Sequence, residues 1–111
     1  MAESRPTIST HILDVAEGRP AVGMTVRLVR MVGAAPMAVG EGETDDDGRI
    51  ADLLAGTELT EGDYRLEFDV DPDGDGFFTT LAVGFRVSDT NRSHHVPLLR
   101  APFALSTYRG T

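Results

Sequence analysis

Gly62-Asp63-Tyr64-Arg65-Leu66-Glu67-Phe68-Asp69-Val70 is the stretch whose reading decides the fold class. Tyr64, Leu66, Phe68 and Val70 fall on one side of an extended chain, and Arg65, Glu67 and Asp69 on the other, because successive strand side chains point to opposite faces. A helix would mix the two sets around its circumference. The spacing predicts a strand with one face in a core and the other in water. Gly62-Asp63 opens it, and Asp71-Pro72-Asp73-Gly74-Asp75-Gly76 follows it as a loop.

Working outward, further short β-prone runs lie between glycine and proline turns. Phe77 to Val87 is the next strand, with Leu81, Val83, Phe85 and Val87 alternating. Ser93 to Arg100 and Ala104 to Tyr108 follow, separated by a corner at Pro102. Upstream, Thr7 to Asp14, Met24 to Met31 and Pro36 to Glu43 read as strands, and Glu17-Gly18-Arg19-Pro20 as a turn. Thr44-Asp45-Asp46-Asp47-Gly48 is a tight acidic turn that delivers Arg49, and Ile50 to Ala55 fits either a short strand or one helical turn. No stretch of ten or more residues has helical periodicity. Strands at close spacing without intervening helices predict an all-β sandwich or barrel.

A chain of 111 residues is one domain by length, spanning 1–111. It can bury roughly two-thirds of its unfolded surface, enough for a core without metal or disulfide staples. With no cysteine there is no disulfide framework, thiol nucleophile or thiolate metal site. A net charge of -8 with scattered basic residues argues against nucleic acid. No apolar run approaches the ~20 residues that span a bilayer. Met1-Ala2-Glu3-Ser4-Arg5-Pro6 lacks the pattern of a secretory signal, so a cytoplasmic location is expected.

The candidate chemistry rests on three histidines, His11, His94 and His95. Histidine changes charge near neutral pH and is the commonest general acid or base. If Ile8, Thr10 and Ile12 face the core, then Ser9, His11 and Leu13 face away from it. His95 shares a face with Pro97 and Leu99, and His94 with Val96 and Leu98, so the neighbours do different jobs. The plainer alternative is that all three are surface or edge-strand residues. Asp71-x-Asp73-x-Asp75-Gly76 has the first half of a calcium loop, but Ala82 stands where the bidentate Glu belongs and Pro72 at the second position. A solvated acidic turn accounts for it better. No Gly-x-Ser-x-Gly elbow and no phosphate-cradling loop is present.

Three motifs in order carry a resemblance. They are Ser9-Thr10-His11-Ile12-Leu13-Asp14 with Gly18-Arg19-Pro20-Ala21; Asp47-Gly48-Arg49-Ile50 with Gly62-Asp63-Tyr64-Arg65-Leu66 and Phe68-Asp69; and His95-Val96-Pro97-Leu98-Leu99 with Pro102-Phe103 and Ser106-Thr107-Tyr108-Arg109-Gly110-Thr111. Across nearly the whole chain the sequence resembles the transthyretin-like family, and within it the 5-hydroxyisourate hydrolases of urate breakdown. The resemblance implies a two-sheet antiparallel β-sandwich, a homotetramer with its sites in a channel where dimers meet, and a purine-derived substrate. It implies neither cofactor nor metal. Position by position it makes His11, Arg49 and His95 the catalytic set, and Tyr108, Arg109, Gly110 and Thr111 the substrate-binding tail.

The implied chemistry is ring-opening hydrolysis of a cyclic amide, with His11 and His95 sharing water activation and proton transfer and Arg49 steadying the oxyanion. The sequence departs from the family pattern in four places. Ser93-His94-His95 replaces His-Tyr-His, Thr79-Thr80 replaces Pro-Glu, Thr111 replaces Ser, and the link from Asp69 to Phe77 leaves no room for the family's short helix. Two other functions compete with this one. A ligand carrier would use the channel without hydrolysis and has no need of the imidazoles and guanidinium. A sandwich interaction module would be a monomer.

Overall fold

The computed structural model describes residues 5–111; Met1 to Ser4, part of the stretch read for a leader, lie outside the described residues. Among the described residues, two sheets are built from nine strands: β1 (Ile8–Asp14), β2 (Arg19–Pro20), β3 (Thr25–Val32), β4 (Ala35–Glu43), β5 (Arg49–Ile50), β6 (Gly62–Asp69), β7 (Thr80–Val87), β8 (His94–Ala101) and β9 (Ala104–Thr107). One sheet runs β2-β1-β8-β9, with β5 also on β1; the other runs β4-β3-β6-β7. There is no helix among the described residues.

The alternation in β6 decides the second sheet. Tyr64, Leu66 and Phe68 are at most 2% exposed, and Leu66 and Phe68 stand opposite Leu28 and Val26 of β3. From the first sheet come Ile8 and Ile12 of β1 and Leu98 of β8, all at 0% exposure. Leu53 and Leu54 close the core from the 51–57 turns, where Leu53 N donates to Ile8 O at 2.7 Å. Burying such side chains contributes about 1.5–3 kcal/mol each.

The sandwich is antiparallel with one exception. β1 and β8 pair in parallel, from Ile8 opposite His94 to Asp14 opposite Arg100. Parallel neighbours need a long crossover, and here nearly the whole chain lies between them. Three local expectations change. β7 starts at Thr80, not Phe77, because Phe77 N donates away from the sheet to Pro102 O at 2.7 Å. Arg19–Pro20 is a two-residue strand against Leu13 and Asp14. Of the two readings of Ile50 to Ala55, neither holds throughout: Ile50 ends β5 and turns follow.

Arg100 holds the 71–76 loop to the first sheet. Its Nε donates to Val70 O at 2.6 Å, and its other nitrogens reach Asp14 at 3.0 Å and Asp71 at 3.3 Å. Asp71 also accepts from Asp75 N at 3.1 Å and Gly76 N at 2.9 Å. The acidic turn is thus folded around its own backbone amides and an arginine.

Candidate active site

The two outer faces differ in kind. On the β3–β6 sheet, Arg27 lies 3.1 Å from Asp69 and 3.6 Å from Glu41, and Arg65 lies 3.2 Å from Glu67. These charges neutralise one another. On the β1–β8 sheet, the outward side holds His11, Arg49 and His95, and among the described residues the Arg49 guanidinium forms no ion pair.

Each side chain reaches this face for a local reason. Thr10 is 1% exposed and Ile12 0%, so His11 between them must point outward. Arg49 stands opposite His11 in the β1–β5 pairing, where same-face side chains are about 5 Å apart at Cβ. The preceding turn fixes it. The Asp45 carboxylate accepts from Arg49 N at 3.0 Å and Asp47 N at 2.9 Å. Those amide bonds, led by that from Arg49, hold the Asp45 carboxyl below the usual carboxylate range. Gly48 has φ +76°, and a Cβ there would lie 2.6 Å from Ile12 O. Only glycine fits such a backbone beside β1.

His95 stands opposite Ser9 in the β1–β8 register, two positions along from His11 opposite Pro97. Ser9 Oγ and His95 Nδ1 are 2.8 Å apart. Burial, then the charges of His11 and Arg49, push the His95 imidazole below the usual histidine range. Both effects favour the neutral ring, the form that can take a proton. The tail closes over it: Gly110 N donates to His95 O at 2.8 Å, and a Cβ on Gly110 would lie 2.5 Å from His95 Cδ2.

His94 corrects the reading of all three histidines as surface or edge residues. It is 6% exposed, faces inward, and its Nδ1 has no hydrogen-bond partner among the described residues. Inward position follows from Val96 and Leu98 sharing its face in β8. Burial first, then Arg109 and Arg92, keep it below the usual histidine range. It lines a cavity of about 250 Å³ at the open edge between β7 and β8, with Val83, Phe85, Val96, Tyr108 and Arg109. His95 borders that cavity too, whereas His11 and Arg49 do not line it. The face carrying all three groups is open on the single chain. Tyr108 of the tail is 55% exposed, and the Thr111 hydroxyl donates to Gly110 O. Sequence reading gave no role to Ser9, although its two-residue offset from His11 was the available signal.

The two-sheet sandwich is the fold of transthyretin-type structures. The chain belongs to the HIUase/Transthyretin family, whose model it matches over residues 8–110. It is 42% identical to a 5-hydroxyisourate hydrolase of Caulobacter vibrioides, over 94% of this chain and 97% of that protein. The solved 5-hydroxyisourate hydrolase of Klebsiella pneumoniae superposes with a TM-score of 0.82 at 34% identity, covering 96% of this chain and 99% of that one. Sea bream transthyretin in complex with thyroxine gives 0.84 at 25% identity, with 92% of each chain covered.

Proposed function

We propose that this chain, as one domain over 1–111, is a 5-hydroxyisourate hydrolase acting in urate breakdown, with His11, Arg49 and His95 as its catalytic set. The observation that carries the reading is that the His11 and His95 imidazoles share one outer sheet face with Arg49, whose guanidinium forms no ion pair among the described residues. Full-length similarity to named hydrolases supports the same reaction.

The chemistry follows from those groups. His95 takes a proton from water, and the hydroxide so formed adds to a ring amide carbonyl. Arg49 stabilises the oxyanion with a planar fork of donors. The intermediate collapses with cleavage of the C–N bond, and an imidazolium returns the proton to the departing nitrogen. The products are a carboxylate and a ureido N–H, as in 2-oxo-4-hydroxy-4-carboxy-5-ureidoimidazoline. His11 shares the proton transfer, and Tyr108, Arg109, Gly110 and Thr111 bind the substrate. No step calls on a cofactor.

The openness of the face supports assembly as a homotetramer, in which subunits meet over it and make a water-poor channel. The substrate is then a small purine-derived ring, and nucleic acid and membrane are not partners. A cytoplasmic location fits this reading. A thyroxine-type carrier is the weaker reading, because binding alone gains nothing from an imidazole held neutral beside an arginine.

Hydrolysis in H₂¹⁸O tests the proposal. Freshly made 5-hydroxyisourate should decay faster with protein than without, and the new carboxyl should carry one ¹⁸O. Decay at the spontaneous rate with a folded protein would refute the assignment. Light scattering should give four chains per particle; a stable monomer would refute the shared channel.

A further inference from the structure

The hydrolytic scheme leaves Ser9 without a task, yet its Oγ is 2.8 Å from His95 Nδ1. The contact is made by register, since Ser9 and His95 are partners in the parallel β1–β8 pair. On the other side of the ring, Gly110 N holds the His95 carbonyl at 2.8 Å and its missing side chain leaves room for the imidazole. His95 is thus held between a hydroxyl and a glycine.

The two nitrogens of a histidine are not equivalent, and a fixed partner on one decides what the other presents. We infer that Ser9 is a positioning residue: its hydroxyl accepts from Nδ1–H of His95 and keeps the Nε2 lone pair free for the water. This inference rests on the hydrolase reading above.

Serine suits the task for a physical reason. Nδ1–H is a donor both in this neutral tautomer and in the imidazolium, so one acceptor serves before and after proton uptake. A carboxylate in the same place would also hold the tautomer, but its charge would stabilise the imidazolium and weaken the resting base. The charged groups facing the ring are His11 from β1 and Arg49 from β5, and both disfavour its protonation. Gly110 brings no charge from the tail, and His94 points to the opposite face of β8. A neutral oxygen at Ser9 fixes the proton's place without reversing that balance.

The test is long-range ¹⁵N–¹H correlation of the imidazoles, with pH–rate profiles, for the wild type, Ser9→Ala, Ser9→Thr and Ser9→Asp. Wild-type His95 should be protonated at Nδ1 and bare at Nε2. In Ser9→Ala the proton should move to Nε2, and kcat should fall about tenfold to a hundredfold with KM within about twofold. Ser9→Thr should restore tautomer and rate, and Ser9→Asp should keep the tautomer while moving the acid limb to higher pH. A wild-type Nε2–H tautomer, or a Ser9→Ala variant with unchanged tautomer and rate, would overturn the inference. The NMR result does not depend on the substrate, so an inactive wild type with Nδ1–H on His95 would fault the reaction and leave the contact standing.

Discussion

Arg49 stands directly opposite His11 across the two-residue pairing of β5 with β1. A strand so short has little ladder of its own, so its place depends on the Thr44–Gly48 turn that leads into it. The placement of Arg49 beside His11 and the chemistry of the turn are therefore linked at Gly48.

Gly48→Ala should be destabilising by roughly 1–3 kcal/mol, since it forces a side chain into a positive-φ position against the Ile12 carbonyl. Activity should fall by more than stability does, because Arg49 is displaced from His11. Thermal unfolding and initial rates on the same preparation check this. Wild-type values for both would show that the turn does not hold Arg49.

Gly110→Ala should separate activity from stability. Its Cβ would meet His95 Cδ2 at 2.5 Å and Pro97 Cγ at 2.9 Å, so the tail or the ring must move. The tail lies outside the core, and Tm should change little while kcat falls at least about tenfold. An unchanged kcat would place the tail away from the reacting atoms.

Acid should weaken the fold through both histidines of β8. Each has its folded pKa depressed, chiefly by burial. The unfolded chain therefore binds more protons near pH 6, and stability falls as pH drops below the ordinary histidine value of about 6.5. His94→Tyr removes one of these groups and should flatten the loss of Tm between about pH 7 and 5.5. An unaltered slope would show that His94 does not titrate in that window.

The carboxylates act lower on the scale. Amide bonds, from Gly76 to Asp71 and from Arg49 to Asp45, depress both pKa values. Their contribution is complete above the ordinary Asp value of about 3.9 and is lost as pH falls through the folded values. Arg100 adds to the depression at Asp71. Arg100→Met should move the acid-unfolding midpoint to higher pH, as followed by circular dichroism; an unmoved midpoint would mean that the amides alone hold the loop.

Much of this fold is legible in alternation. Tyr64, Leu66 and Phe68 give the β6 core face, which Val70 continues just past the strand, and Ile8, Thr10 and Ile12 leave His11 outside. Pairing is not legible, because periodicity states which face a residue takes and not which strand lies beside it. The parallel β1–β8 contact, and with it Ser9 against His95, joins residues 86 apart in the chain. His94 was open to misreading for a different reason: a polar residue on an inward face contradicts its chemistry, and only the surrounding β8 residues show which consideration wins. Phe77 looked like strand, yet its amide bonds to the β8–β9 turn, a competitor that local sequence does not reveal.

The most direct measurement is the decay of 5-hydroxyisourate, generated in place from urate and urate oxidase, with wild type, His95→Ala and Arg49→Ala at equal concentration and matched fold. The account predicts acceleration by the wild type and a loss of about a hundredfold or more in each variant. Folded variants that keep the wild-type rate would contradict it and move the chemistry off this sheet face.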